Sequence, residues 1–210
     1  QPRVFVMENV SGMVKGKMKL VFREIMLALK STGYRVRCKL LNAMYFNVPQ
    51  SRERLIWIGV RPDLEREAGF PKAQGKPVTV REALDGCSDP AGPVLKSKAA
   101  AIGKLIPPGD SNGGGKYSTR IGLGTYGFQM CRLAWDKPAP TVCKSMGDRM
   151  IHPEAQCGLS AQQVARLGSF PDDFRFVGTG TAAIERIGNS VPPRFAQAIA
   201  EHIRDEILEV

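Results

Sequence analysis

The chain of 210 residues is short of several things. No apolar run reaches the length needed to cross a bilayer, and no charged-then-apolar leader pattern opens the sequence. The five cysteines, at 38, 87, 131, 143 and 157, include no Cys-x-x-Cys pair. Scattered thiols without a disulfide framework point to a reducing, cytoplasmic setting. Cys131, Cys143, His152 and Cys157 lack the tight ligand pairs of structural zinc, so no metal is expected. Acidic residues are also scarce, 20 against 30 Lys plus Arg, for a net charge of +10. The imbalance is uneven. Residues 1–68 carry 13 basic against 6 acidic side chains, residues 69–150 carry 12 against 6, and residues 151–210 carry 5 against 8. A polyanion such as nucleic acid suits the basic front and middle. The Gly-Gly-Gly-Lys run at 113–116 is not a phosphate loop, since Asp110 and Tyr117 stand where that pattern needs Gly and Ser or Thr.

What is present reads as α/β. Residues 3–7 of "RVFVMENV" form a short buried strand, with Glu8 and Asn9 at its tip. Between Lys17 and Lys30, Phe22, Ile25, Met26 and Leu29 recur at helical spacing, and Gly33 closes that helix. Arg35–Leu41 alternates like a strand. "LIWIGV", residues 55–60, is continuously apolar, as a strand covered on both faces requires. From residue 69 to about 150, Gly and Pro are frequent and helical periodicity is weak, which predicts an irregular lobe of short strands and loops. Ser160 and Gln163 make a capping box ahead of Val164 and Leu167. A last helix follows Pro192-Pro193 and repeats Phe195, Ile199, Ile203 and Ile207 every fourth residue.

Three strings carry polar groups where chemistry could use them. Glu8-Asn9 ends the first strand. In "NVPQSRERLIWIG", residues 47–59, Arg52 and Arg54 lie two apart, on one face of an extended chain, with Gln50 beside them. Their guanidinium forks suit phosphate or carbonyl oxygens. In "RIGNSVPPRFAQAIAEHI", residues 186–203, Gly188 permits close backbone approach, and Asn189 and Ser190 precede a helix N-terminus.

Taken in order, "ENV", "GYRVRCKLLNAMYFNVPQSRERLIWIG", "RLAWDKPAPTV", "GLSAQQVARLGSFPDDF" and "GNSVPP" resemble the cytosine-5 DNA methyltransferases over nearly all of the chain except residues 70–130. The resemblance implies a doubly wound methyltransferase domain that uses S-adenosylmethionine and flips a cytosine out of double-stranded DNA. A cysteine thiolate attacks C6, and C5 takes the methyl group. Glu8 matches the glutamate that protonates N3 as charge develops there, and Arg54 the arginine that binds O2. Asn9 orients the Glu8 backbone or contacts the base. Arg52 lies near the thiol and the base. Thr141 matches a contact to the phosphate beside the flipped nucleotide. Gln50 is either a further DNA contact or structural support. Asn189 and Ser190 match the cofactor-contacting end motif. In the recognition region, Lys116 and Arg120, with Lys96, Lys98 and Lys104, could neutralise phosphates.

The departures from the family pattern are specific. Cys157-Gly158 stands where an arginine is frequent, and Asn47 where glycine is usual. No cysteine is preceded by Pro and followed by Gln, the family's nucleophile motif, and the Phe- and Gly-rich cofactor loop is missing. The expected architecture is therefore the C-terminal half of a doubly wound S-adenosylmethionine-dependent domain with a smaller, loop-rich target-recognition lobe. Residues 1–68 are the partial catalytic domain, 69–187 the lobe, and 188–210 the return segment and final helix. The expected partners are duplex DNA and the missing N-terminal half, in the cytoplasm of a bacterial or phage-infected cell, with no membrane. Alone, the chain is expected to be inactive. The alternatives are a non-catalytic DNA-binding subunit of a two-chain methyltransferase and an RNA cytosine methyltransferase.

Overall fold

The computed structural model describes residues 1–14, 18–87, 92–127, 129–144 and 149–209. Lys17, with which the first helix was expected to open, lies outside them. The chain runs β1 (Val4–Val10), α1 (Met18–Ser31), β2 (Arg35–Asn42) and β3 (Glu53–Val60). The sheet order is β1-β3-β2, with β3 antiparallel to both neighbours. β1 and β2 are therefore parallel, joined by the α1 crossover, and β3 is inserted between them. That position explains its continuous apolar sequence, since Ile56, Trp57, Ile58 and Val60 are all buried.

Alternation sorts the sheet into two faces. On one, Val4, Ile56, Ile58 and Val60 pack on Phe195, Ala198, Ile199 and Ile207 of the C-terminal segment. On the other, Leu55 and Trp57 meet Phe22, Ile25, Met26 and Leu29 of α1. Phe5 lies opposite Gly59, where any Cβ would fall inside its ring. Gly33, at φ +87°, ends α1 in the left-handed conformation that glycine adopts freely.

The first strand differs from expectation in two ways. It continues through Val10, so Glu8 and Asn9 sit within the ladder, opposite Ile56 and Leu55, and not at a tip. It is also an exposed edge rather than a buried strand, with Val6 46% and Val10 51% accessible. Burial was inferred from apolar content, which does not distinguish a central strand from an edge.

Beyond residue 69 lie α2 (Val80–Leu84), α3 (Ser97–Leu105), β4 (Cys131–Arg132), β5 (Met150–Ile151), α4 (Ala161–Leu167) and α5 (Gly180–Asn189). The two short strands pair in parallel. The capping box at Ser160 and Gln163 forms as expected, and Thr79 and Glu82 make a second one at α2. α2, α3 and α5 were not anticipated, because one to three turns surrounded by Gly and Pro give too little periodicity to detect. The chain ends in α6 (Pro193–Ile203), which runs into a π-helical turn, Arg204–Leu208.

A candidate active site at the start of the third strand

The antiparallel register brings the central pair together. Glu8 is opposite Ile56 and Val10 is opposite Arg54, so Glu8 and Arg54 are diagonal neighbours on one face. Arg54 Nε lies 2.6 Å from Glu8 Oε1. A second guanidinium nitrogen of Arg54 donates to the Glu53 carbonyl at 2.7 Å, which holds the fork in orientation.

Arg52 is only 3% exposed and binds backbone carbonyls. Nη1 donates to Val142 O at 2.8 Å, and Nη2 to Gly188 O at 2.9 Å and Ser190 O at 3.0 Å. Burial, followed by the Arg54 charge, pushes its pKa down to about 10, with Glu8 and Cys143 opposing the shift. Arg52 thus ties the start of β3 to the Val142 segment and to the Gly188–Ser190 segment.

The supporting ties are backbone and amide contacts. Ser51 N donates to Ala139 O at 2.7 Å and Ala139 N to Pro49 O at 2.9 Å. Thr141 Oγ1 donates to Ser51 O at 2.7 Å. Gly188 lies against Cys143 and Lys144 so closely that a Cβ would sit 2.4 Å from their backbone atoms. The expected close approach at this glycine is therefore real.

A model of the C-5 cytosine-specific DNA methylase family matches residues 1–205. The chain belongs to that family. It is 33% identical over 214 residues to the type II methyltransferase M1.HphI of Haemophilus parahaemolyticus, covering 97% of this chain and 57% of that enzyme. It is 29% identical to the type II methyltransferase M.MthTI of Methanothermobacter thermautotrophicus, covering 98% and 67%. A DNA modification methyltransferase encoded within an Escherichia coli prophage shares the fold, with a TM-score of 0.71, 22% identity and coverage of 99% and 70%. The chain thus spans roughly half to two thirds of the length of curated relatives such as these.

Against the family pattern, the other expected residues fall as follows. Asn9 faces the opposite side of the sheet from Glu8, and its side chain accepts from Val10 N at 2.8 Å. Gln50 is 1% exposed. Its oxygen accepts from Val142 N at 3.0 Å and its nitrogen donates to Leu167 O at 3.3 Å, so a DNA contact is corrected to structural support. Ser190 Oγ donates to Ile187 O at 2.8 Å, while the exposed Asn189 amide has no partner among the described residues. Asn47 takes φ +57°, which explains why glycine is usual there and why asparagine is tolerated.

Lys116 is not a free phosphate-binding cation. It pairs with Asp110, whose carboxylate is held well below its ordinary range by Lys116, the Tyr117 hydroxyl and Ser111 N. Arg120 lies over the Tyr117 ring, 5.1 Å from its centroid, and is exposed. Two organising residues escaped the sequence reading. Arg132, buried, donates to carbonyls of Gly103, Ile106, His152 and Ala155 at 2.7 to 3.1 Å. Asn112, also buried, holds the loops around it. Neither carries a local signal, because their partners are set by loop geometry. Among the described residues no His, Cys, Asp and Glu cluster could hold a metal ion, and no helix is long and apolar enough to cross a membrane.

Proposed function

We propose that this chain is the base-holding and DNA-recognition part of a DNA (cytosine-5) methyltransferase. The observation that carries the reading is the Glu8–Arg54 pair, a carboxyl and a guanidinium 2.6 Å apart on one face of the sheet. Together they complement the edge of one cytosine. Arg54 would donate to O2 and Glu8 would hold a proton at N3. Addition of a nucleophile at C6 pushes electrons onto N3 and O2, where both groups stabilise the charge as it develops. Arg52 acts as a positioning residue by anchoring the chain just before Arg54 to the Val142 and Gly188–Ser190 carbonyls. S-adenosylmethionine supplies the methyl group when bound. Asn189, with its free amide, and Ser190 fit a share of the contacts to it. Thr141 and Arg120 are the residues proposed to reach the phosphates. Residues 1–68 and 188–210 would form the catalytic layer, and 69–187 the recognition lobe.

In this reading the nucleophile comes from the portion that the relatives have and this chain does not span. Burial pushes Cys38 and Cys131 up to about 11, away from the thiolate form. The surface such a portion would complete is also present. Among the described residues the outer edge of β1 is unpaired, and an apolar groove of about 640 Å³ runs beside it, lined by Val4, Val6, Ile56, Ile199, Ala200 and Ile203. This favours a two-part enzyme, with the second part in the same chain or a separate one.

The test is methyl transfer to duplex DNA by the purified chain, alone and mixed with a Pro-Cys-Gln-bearing N-terminal half. The expected result is no incorporation alone and incorporation in the mixture, lost with Arg54→Ala. Transfer by the chain alone that disappears with Cys143→Ser would place the nucleophile here and overturn the proposal. Tighter binding of tRNA than duplex DNA at equal salt would move the substrate to RNA.

A further inference from the structure

The recognition lobe presents one aromatic side chain in a way that burial does not explain. Asn112 is 0% exposed and commits its amide to the loop above it. Its nitrogen donates to the carbonyls of Tyr126 at 2.9 Å and Gly127 at 3.1 Å, and to Ser118 Oγ at 3.1 Å. Its oxygen accepts from the N–H groups of Tyr117 and Ser118 at 2.8 and 3.0 Å. The Ser118 hydroxyl in turn donates to Gly124 O. Gly124 and Gly127 take φ +54° and +63°, so the backbone bends sharply on either side of the segment between them. The outcome is a locked loop with the Tyr126 side chain at its apex, half exposed.

The surroundings of that ring are cationic. The Lys98 ammonium lies over one face of the ring, 5.7 Å from its centroid, and has no carboxylate partner among the described residues. Asp110, two residues before Asn112, lines a cleft of about 280 Å³ together with Ser51, Lys137 and Pro140. Ser51 directly precedes Arg52, so the cleft lies between the Arg52 segment and the Asp110 segment that leads into this loop, and neither Tyr126 nor Lys98 lines it. A flat ring on a preorganised loop costs little ordering entropy when it binds. Where a base has left the duplex stack, its neighbour offers a free π-face whatever its identity, and the phosphates beside it suit Lys98.

We infer that the face of Tyr126 away from Lys98 stacks on a base left unstacked where the bound duplex opens, with the Asn112-locked loop presenting it and Lys98 reaching the neighbouring phosphate. This rests on the reading that the lobe binds DNA and adds the residue that touches a base. The test takes the duplex that the wild-type chain enriches from a randomised pool and measures its binding by anisotropy over a salt series. Tyr126→Ala is expected to weaken binding roughly 5- to 150-fold with an unchanged log–log salt slope. Tyr126→Phe and Tyr126→Trp should stay within about twofold of wild type, and Lys98→Gln should reduce the slope by about 1. A thermal melt at wild-type temperature for Tyr126→Ala shows that the fold is intact, and a lowered melt transfers the comparison to Phe and Trp. Wild-type affinity in Tyr126→Ala, or equal losses in Phe and Ala, overturns the stacking contact. A wild-type chain that enriches no duplex overturns the underlying reading of the lobe instead.

Discussion

Two buried arginines, Arg52 and Arg132, join distant segments by donating to backbone carbonyls. Truncating Arg52 would leave the carbonyls of Val142, Gly188 and Ser190 buried without their donor. An unpaired buried acceptor costs about 1–3 kcal/mol. Arg52→Met is therefore expected to lower unfolding stability by roughly 2–4 kcal/mol in urea melts. Arg52→Lys should recover only part, since a point ammonium cannot span the fork. His152 makes a different residue-scale prediction. Its Nδ1 accepts from the N–H groups of Glu154 and Ala155, at 3.3 and 3.2 Å, which requires a neutral ring. Burial holds its pKa below the ordinary 6.5, Arg132 adds to the shift, and Glu154 opposes it. Below 6.5 the unfolded chain takes up a proton that the folded chain resists, so the unfolded state gains. The stability this site contributes is complete above pH 6.5 and is lost as pH falls from there through the folded value. His152→Asn keeps an acceptor near the Nδ1 position without the titration. Its urea midpoint should fall less than that of wild type between neutral and mildly acidic pH.

At the scale of elements, the helix-to-helix junction at Gly188 is a tight backbone fit. α5 ends against the segment Thr141–Lys144, and a Cβ at 188 would overlap Cys143 C and Lys144 N at 2.4 Å. Both are backbone atoms, so neither can rotate aside. Gly188→Ala is expected to cost about 1–3 kcal/mol by overpacking and to raise amide exchange over residues 141–144 and 188–190. Elements like these show what the sequence revealed and what it hid. Helix α1, strand β3, the Ser160 cap and α6 were legible, because periodicity and capping are local. The pairing of Glu8 with Arg54 was legible only through the family resemblance, and its geometry needed the register. The carbonyls that occupy Arg52 lie 90 to 138 residues away in sequence, so its guanidinium read as an open donor. The partners that settle Gln50 as structural support, Val142 and Leu167, are as distant in sequence, so both of its readings stayed open there. Lys116 was misread although Asp110 is only six residues earlier, since a loop sequence does not say which way its side chains turn.

At the scale of the whole molecule, the two edges of the sheet are built differently. β2 carries Arg35, Arg37 and Lys39 along its outer strand, the charged blunting by which native edges resist pairing. β1 carries Val4, Val6 and Val10 instead, interrupted only by Glu8, which is held by Arg54. An unprotected apolar edge beside an apolar groove is a surface shaped to be covered. Without a covering segment, the chain should self-associate through β1 at micromolar concentration. Val6→Lys puts a charge at the middle of that edge on a residue already 46% exposed, so it should leave the monomer fold intact. Sedimentation velocity should then show the wild-type chain as dimers or larger species and Val6→Lys shifted to monomer, with matching circular dichroism. The same substitution should weaken complementation by a Pro-Cys-Gln-bearing half, because both partners compete for one edge. Wild-type monomer at all concentrations, with complementation unaffected by Val6→Lys, would mean that β1 is a stable free edge and that the two parts meet elsewhere.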